Sequence, residues 1–387
     1  MARHLILVGC LSLLVACGGD GNGDATTGGG GTTSGTGGAG GSVDSGGMGG
    51  MAPGPCDVLA LSLDAALTAA NDAEGLPGGT VAAIETTDCG LWTGAAGEAD
   101  DGVPMTPTSL LRVGSVTKTY LAAALVALVD EGALSLDDTL SSFVTTGVEN
   151  EDVITVRQLL NHTAGVFNYT DDGVFMNEVV LNPNMTYTPQ QIVDVAVSHG
   201  ADFEPGTSWS YSNTGYILLG MILEQVTGES AGSHLRSAML DPQGLDRTFF
   251  DGEETLPEPL AKGYGPGGED WTALLHPSVP WTAGIMVAEA GDLAHWATAL
   301  YGGDAISDAA RAEMLTFVPG ESYGLGVLQI VTPRGSAGIG HTGGIPGYSS
   351  FMFYFPDRQA SVAVVVNHAQ RDPSVAFLAL LAELLEP

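Results

Sequence analysis

The stretch that most constrains the fold is an apolar run at residues 121–129, Leu-Ala-Ala-Ala-Leu-Val-Ala-Leu-Val. The run has no polar face at the helical period, so a helix formed here must be buried on every side. Asp130, Glu131 and Gly132 follow and indicate a helix stop. Such a helix needs other layers around it, and a chain of 387 residues has room for two lobes and a large core.

Directly before this run, Ser115 and Lys118 lie three residues apart, and Lys118 is one of only two lysines in the chain. On a helix they would share one face. A serine hydroxyl is a weak nucleophile until a base takes its proton, and burial lowers the pKa of a lysine amine enough for it to be that base. The alternative is a capping serine followed by a solvated lysine, so partners elsewhere in the chain must decide.

One candidate partner stretch contains Tyr211 and Asn213, two residues apart on a predicted extended loop, where their side chains would point the same way. A phenol near an ammonium has a lowered pKa, so Tyr211 could pass protons between the serine and a leaving group. Asn213 could hydrogen-bond Lys118 and a substrate amide. By itself, the stretch could equally be a structural loop.

A second candidate stretch is His341-Thr342-Gly343-Gly344, which lies between β-rich segments. Its glycines allow a backbone to approach a ligand closely. The backbone N–H of Gly344, together with that of Ser115, could form an oxyanion hole. His341 and Thr342 could bind a substrate carboxylate or position its carbonyl, and a tight β-turn is the alternative interpretation.

Taken together, these stretches resemble the boxes of the serine β-lactamase-related hydrolases, which include class C β-lactamases, D-alanyl-D-alanine carboxypeptidases and related esterases. The matching boxes, in the family's order, are Ser115-Val-Thr-Lys118, Tyr211-Ser-Asn213 and His341-Thr342-Gly343. The resemblance covers about residues 57–387. It implies an α/β fold of the β-lactamase/transpeptidase type, with an antiparallel sheet flanked by helices, an inserted helical lobe, and the site between the lobes.

The resemblance also implies roles for single residues. Ser115 would be acylated, Lys118 and Tyr211 would move protons, and Asn213 and His341 would orient the substrate. In the third box this chain has His341 where class C β-lactamases usually carry lysine. Neutral imidazole attracts a carboxylate less than an ammonium does, which disfavours a dedicated β-lactamase. Histidine occurs at this position in some carboxypeptidase-like and esterase members of the family, so those two interpretations stay open.

We therefore predict a serine hydrolase that forms an acyl-enzyme on Ser115. A D-alanyl-D-alanine carboxypeptidase-like or general β-lactamase-related enzyme ranks first, and a carboxylesterase of the same family ranks second. A non-catalytic lipoprotein that binds penicillin or cell-wall peptide is the third interpretation. It is disfavoured because the nucleophile and proton-transfer positions are all filled.

The first residues predict export. Residues 1–17 have a short polar start and an apolar stretch too short to span a bilayer, as in a signal peptide. The end, Leu14-Val15-Ala16-Cys17, resembles the bacterial lipobox, which implies lipidation of Cys17; ordinary signal cleavage is the alternative. Residues 18–55, about half of them glycine, predict a disordered tether. The expected location is the bacterial cell envelope, at a periplasmic or outer-membrane surface.

Cysteine usage fits this location. Cys10 would leave with the signal and Cys17 would carry the lipid, so Cys56 and Cys89 remain as an even pair in an oxidising compartment. We predict a disulfide between them that joins the first helix to the first hairpin, with two free buried thiols as the alternative.

The net charge of −34 argues against nucleic acid as a partner, and against a basic patch that docks on anionic lipid. The predicted partners are thus a small-molecule or peptide substrate and, through the lipid anchor alone, a membrane. The histidines show no metal-ligand spacing, so we predict no metal and no cofactor.

The order of predicted elements suggests one catalytic domain at residues 56–387. Its α/β lobe is expected at about 56–113 and 317–387, with a helical lobe at about 114–316 between them. Predicted strands are residues 79–86, 90–94, 323–331, 348–355 and 361–367. Predicted helices besides the Ser115 helix are residues 58–73, 155–160, 190–199, 216–226, 292–301 and 373–385.

Two further motifs resemble catalytic patterns but are not predicted to belong to the site. Gly228-Glu-Ser230-Ala-Gly232 fits the G-x-S-x-G nucleophile elbow, but that motif needs a preceding strand and the residues before it are predicted helical. Gly228 is therefore expected to end a helix. His162, in His162-Thr-Ala-Gly165, imitates the third box but comes too early in the chain, and we predict that it is structural.

Overall fold

A computed structural model describes residues 53–385 of the chain. The signal predicted at residues 1–17, the lipidation predicted at Cys17 and nearly all of the predicted tether lie outside the described residues. No helix within the described part is long and apolar enough to cross a membrane.

The described residues form helices and a main antiparallel sheet. The strands of this sheet come from the first and the last parts of the domain, and most helices lie between them in the sequence. The helices are α1 (Pro55–Ala73), α2 (Thr117–Asp130), α3 (Val156–Leu160), α4 (Gly173–Leu181), α5 (Pro189–His199), α6 (Asn213–Thr227), α7 (Ala231–Leu235), α8 (Trp281–Gly284), α9 (Ala290–Tyr301), α10 (Asp308–Met314) and α11 (Pro373–Leu385). The strands are β1 (Gly79–Thr86), β2 (Gly90–Asp100), β3 (Val103–Pro104), β4 (Leu111–Arg112), β5 (Thr248–Phe250), β6 (Met286–Ala288), β7 (Leu328–Val331), β8 (Ala337–Ile345), β9 (Tyr348–Phe355) and β10 (Ala360–Val366).

The main sheet has the strand order β3-β2-β1-β10-β9-β8-β7, and its neighbouring strands are antiparallel. Successive residues of its central strands point to opposite faces. Val362 and Val364 of β10 thus join one hydrophobic cluster, whereas Ala363 and Val365 join the other. Because both faces are buried, every residue of β10 except Ser361 is apolar, and the strand does not alternate between apolar and polar residues.

Helices cover both faces of this sheet. α1 and α11 pack against each other and against one face, where Leu63, Leu67 and Phe377 meet the side chains of β9 and β10. α9 packs on the other face, against β1, β9 and β10. The predicted α/β fold with an antiparallel sheet flanked by helices is confirmed.

α2 is the buried helix that the apolar run predicts. Leu121, Leu125 and the residues between them are completely buried, and α8, α10 and α6 surround them. Tyr120 stacks on Trp296 of α9 with ring centroids 4.4 Å apart, which ties α2 to the helix that covers the sheet. The helix ends at Asp130, and Gly132 follows at φ 74°, as the predicted stop requires.

A small sheet of order β4-β6-β5 supports the segment that leads into α2. After β4, the N–H of Val113 donates to the carbonyl of Met286 at 3.0 Å. The Ser350 hydroxyl of β9 donates to the carbonyl of Val113 at 2.7 Å. The chain is thus held between the two sheets just before Ser115. These strands of two or three residues are too short to show a period in the sequence.

Cys56 of α1 and Cys89 of the β1–β2 turn form a disulfide, so the predicted joint between the first helix and the first hairpin is present. β1, β9 and α11 have the predicted bounds. Gly228 ends α6 in the left-handed conformation at φ 73°, so the G-x-S-x-G match follows a helix and not a strand, as predicted.

The strand predicted at residues 323–331 is wrong in its first half, because only Leu328–Val331 is a strand. The N–H of Leu325 donates to Met314 and that of Gly326 to Leu160, so helical segments take the backbone bonds that a sheet would need. The proposed lobe boundaries stay a prediction. α9 lies in the segment 114–316 that is predicted to be the helical lobe, but it packs on the main sheet.

Candidate active site

Ser115 lies on a single 3-10 turn, Gly114–Val116, directly before α2, and its side chain is partly exposed. Gly114 has φ +54°, and a Cβ built on it would lie 2.7 Å from the backbone nitrogen of Gly344. Only glycine fits this conformation and this contact. The turn therefore presses against β8 and brings the backbone of Gly344 next to Ser115.

Lys118, one turn further along, is fully buried. Its Nζ lies 3.0 Å from Ser115 Oγ, 2.8 Å from Asn213 Oδ1 and 2.6 Å from the carbonyl oxygen of Ala283. Burial lowers the pKa of the amine well below its ordinary value, since the charged form loses its hydration.

The Lys118 contacts orient the nitrogen lone pair. The two oxygens of Asn213 and Ala283 can only accept hydrogen bonds, so they take the two N–H groups of a neutral amine. The remaining direction faces the hydroxyl of Ser115. Once neutral, this amine could accept a proton from the Ser115 hydroxyl.

Asn213 is the first residue of α6, and Ser212 caps the helix. The Asn213 side-chain amide donates to Asn168 Oδ1 and Thr170 Oγ1, each at 3.3 Å, and its backbone N–H donates to Asn168 Oδ1 at 3.0 Å. These bonds fix which end of the Asn213 amide points to Lys118, because the NH₂ group is held on the Asn168 side.

The Tyr211 ring lies beside the lysine, with Lys118 Nζ 5.0 Å from the ring centroid. His162 packs on this ring at 4.2 Å. The Nδ1 of His162 accepts the N–H of Ser212, and its carbonyl accepts the N–H of Ser210. His162 therefore holds the chain on both sides of Tyr211, which agrees with the structural role predicted for it.

His341 lies on β8 and not in a tight turn, so that alternative is wrong. The ring is buried, and both of its nitrogens are engaged. Because the carbonyl of Thr342, at 2.5 Å from Nδ1, can only accept, Nδ1 carries the proton and Nε2 accepts from the Tyr323 hydroxyl at 2.8 Å. Burial, with a smaller contribution from Lys118, lowers the pKa of His341 to about 3. The imidazole is therefore neutral at neutral pH.

The glycines of the same strand make close backbone contacts. A Cβ on Gly343 would lie 1.9 Å from the carbonyl oxygen of Val113. Thr342 and Gly344, which alternate with His341 and Gly343 along β8, are on its more open face. The backbone nitrogen of Gly344 and the turn that carries Ser115 are therefore close together.

The structure thus brings together Ser115, Lys118 and Asn213 by direct contact, with Tyr211 beside them and β8 against the turn. Sequence reasoning missed Asn168, Ala283 and Tyr323, which hold these groups in place. Their segments carry no local pattern that would mark them. Within residues 53–385, no group of three or more His, Cys, Asp or Glu side chains could hold a metal ion.

The sequence matches the family model described as Beta-lactamase over residues 63–385. It is 29% identical over 317 residues to Penicillin-binding protein 4* of Bacillus subtilis (strain 168), an alignment that covers 75% of this chain and 68% of that protein.

Two similar solved structures are amide hydrolases. The D-stereospecific amidohydrolase from a Streptomyces species is 35% identical with a TM-score of 0.75, and the match covers 82% of this chain and 97% of that one. The D-amino acid amidase from Ochrobactrum anthropi SV3, solved with D-phenylalanine, is 27% identical with a TM-score of 0.76, and the match covers 85% and 100% of the two chains.

Proposed function

Because the chain belongs to the beta-lactamase family of penicillin-binding proteins and related serine hydrolases, we propose that Ser115 is its nucleophile and Lys118 the base that activates it. The observation that carries the proposal is the buried Lys118 amine, whose two N–H groups are taken by carbonyl oxygens while Ser115 Oγ lies 3.0 Å away. In the first step Ser115 Oγ bonds to the substrate carbonyl carbon as its proton moves to Lys118 Nζ.

Tyr211 is proposed to carry the proton onward. Its ring lies beside Lys118, so its phenol can pass a proton from the amine to the departing nitrogen as the C–N bond breaks. In the second step the oxygen of water bonds to the acyl carbon as one of its protons moves to this pair. The bond from that carbon to Ser115 Oγ then breaks, the proton passes from the pair to Oγ, and the acid product leaves. Asn213, which bonds Lys118, is assigned to orienting the amine and the substrate amide.

The developing negative charge on the carbonyl oxygen is assigned to two backbone N–H groups, those of Ser115 and Gly344. The contact of the Gly114 backbone with Gly344 supports this pairing. Fixed donors of this kind stabilise the tetrahedral state more than the flat carbonyl, which is how they accelerate acyl transfer.

The substrate is proposed to contain an amide bond next to a D-amino acid residue. The similar sequence is a penicillin-binding protein, and the similar structures are a D-stereospecific amidohydrolase and a D-amino acid amidase. Two forms of that bond follow from these relatives: the terminal bond of a D-alanyl-D-alanine peptide, and the amide of a D-amino acid.

The test is hydrolysis of D-phenylalanine amide and of an acylated D-alanyl-D-alanine peptide, with L-enantiomers and a Ser115→Ala variant as controls. We expect product from a D-substrate with the wild-type protein and none with Ser115→Ala. Cleavage of short-chain esters alone would move the function to a carboxylesterase. A penicillin adduct without turnover would indicate a binding protein, and full activity in Ser115→Ala would overturn the proposal.

Domain organisation and location are part of the proposal. We assign residues 1–17 to a lipoprotein signal, 18–55 to a tether and 56–387 to the catalytic domain, held at the cell envelope by lipid on Cys17. The lipobox-like end of the signal and the similarity to a penicillin-binding protein support this. Fractionation of cells that express the wild type or Cys17→Ser tests it. We expect Cys17→Ser to leave the membrane fraction, and equal distribution would contradict the lipid anchor.

A further inference from the structure

The charges around Ser115 bear on which of these substrates the site accepts. A substrate that ends in a carboxylate directly after the scissile bond must bring that charge into the site. Burying a carboxylate costs free energy unless a cation or several hydrogen bonds compensate for its lost hydration. The question is therefore whether any cation of the described chain is available there.

His341 does not supply one. It occupies the third-box position, but its side chain is buried on the inner face of β8. Nδ1 is committed to the carbonyl of Thr342 and Nε2 to the hydroxyl of Tyr323. The ring has no N–H left to offer a ligand, and its pKa of about 3 keeps it neutral.

Lys118, Arg112 and Lys262 are also engaged. Lys118 is bound to two carbonyl oxygens and faces the nucleophile itself. Arg112, three residues before Ser115, pairs with Asp251 at 2.9 Å and donates to the carbonyl of Thr272. Lys262 pairs with Asp101 at 2.9 Å.

The other cations between residues 53 and 385 lie elsewhere or are paired. Arg334 and Arg358 belong to the turns β7–β8 and β9–β10, at the end of β8 opposite to Gly344. At about 3.3 Å per residue, the strand separates that end from Gly344 by roughly 25 Å or more. The remaining arginines form ion pairs with carboxylates: Arg157, Arg236, Arg247, Arg311 and Arg371.

The net charge of −34 on the whole chain also disfavours binding of a carboxylate, since it repels anionic substrates. We infer that the enzyme selects substrates whose departing side carries no carboxylate, such as a terminal amide or an ester, and discriminates against peptides that end in a free carboxylate. The neutral, internally bonded His341 is the residue that sets this preference. The inference rests on the proposed function and chooses between its two substrate forms.

The test compares N-acetyl-D-alanyl-D-alanine amide with the matching free acid, using the full chain and measuring kcat/KM by mass spectrometry of the released D-alanine or D-alanine amide. The two peptides differ only in the terminal group of the departing residue, which is a carboxylate in one and an uncharged carboxamide in the other. We expect the amide to be cleaved with a kcat/KM at least about tenfold higher, because a carboxylate finds no cation in the site. Equal rates, or faster cleavage of the acid, would overturn the inference.

His341→Lys should shift this preference toward the free acid by supplying an ammonium at the same position. Val331→Lys is the matched control, because it adds the same charge at an exposed position at the far end of the sheet. It should leave the ratio of the two rates unchanged. If the ratio of kcat/KM for the amide to that for the acid changes equally in both variants, the change is a general charge effect and His341 does not set the preference.

If His341→Lys does not fold, salt dependence of the wild type replaces it. Raising the salt from about 10 mM to about 500 mM screens charge repulsion, so cleavage of the acid should rise relative to that of the amide. An unchanged ratio would count against the inference.

If neither peptide is cleaved, the corresponding ester pair, with D-lactate or its methyl amide as the departing group, gives the same comparison. No cleavage of any pair, together with no hydrolysis of D-phenylalanine amide, would refute the proposed function itself.

Discussion

Replacing Gly343 by alanine tests the claim that β8 must lie directly on the segment before Ser115, the proposed nucleophile. The Cβ of Gly343→Ala would lie 1.9 Å from the carbonyl oxygen of Val113, whereas ordinary contacts begin near 3.4 Å. The strand and the Ser115 turn must therefore separate by about 1.5 Å. Both sides of the contact are backbone, so no flexible side chain can absorb this shift.

Overpacking of this kind lowers the free energy of unfolding by about 1–3 kcal/mol. A misplacement near 1 Å between reacting groups costs about 100-fold in rate. We therefore expect Gly343→Ala to fold with a lowered melting temperature and to lose about 100-fold in kcat/KM. The assays are thermal denaturation followed by circular dichroism, and hydrolysis of the preferred amide.

Gly173→Ala is the matched control. Gly173 begins α4, and a Cβ built on it meets nothing within 4 Å. This substitution should change the unfolding free energy by about 0.5 kcal/mol or less and leave the rate unchanged. A folded Gly343→Ala protein with wild-type kcat/KM would refute the reasoning about the contact between β8 and the turn.

Three further predictions follow from the site and its surroundings. Lys118→Ala and Tyr211→Phe should each lower the acylation rate by ~10²–10⁴-fold with the circular dichroism spectrum preserved, and wild-type rates would remove them from the mechanism. Reducing the Cys56–Cys89 disulfide, with its sequence separation of 33, should lower the unfolding free energy by about 3–4 kcal/mol in denaturant titrations; an unchanged midpoint would contradict this. The pKa of His341 is about 3 in the folded chain and 6.5 in the unfolded one. The contribution of the neutral imidazole to the free energy of unfolding is therefore fully present above about pH 6.5 and is lost as the pH falls toward 3. His341→Asn should therefore make unfolding free energy less dependent on pH in this window, by on the order of 5 kcal/mol in total, and identical slopes would reject the assignment.

Local sequence patterns predicted the elements that depend on neighbours along the chain. The buried α2, the hairpin of β1 and β2, and α11 each follow from a continuous run of apolar or alternating residues. The left-handed Gly228 at the end of α6 likewise follows from its position after a helical run. These features are local, so the sequence contains the information that determines them.

Contacts between distant segments could not be predicted in the same way. The sequence predicts a strand at Tyr323, because it does not show that Leu325 and Gly326 bond to helical segments instead. Asn168 and the carbonyl of Ala283 meet Asn213 and Lys118 only in the folded chain. The neutrality of His341 depends on its burial and on the Tyr323 hydroxyl, neither of which its own box reveals.

The central claim is that Lys118 activates Ser115, and the most direct measurement is the site and rate of reaction with an uncharged fluorophosphonate. Intact mass followed by peptide mapping would locate the adduct, with Ser115→Ala and Ser230→Ala as the paired variants. We expect one adduct, on the peptide that contains Ser115, absent in Ser115→Ala, unchanged in Ser230→Ala and strongly slowed in Lys118→Ala. An adduct on Ser230, or labelling at the wild-type rate without the Lys118 amine, would contradict the account.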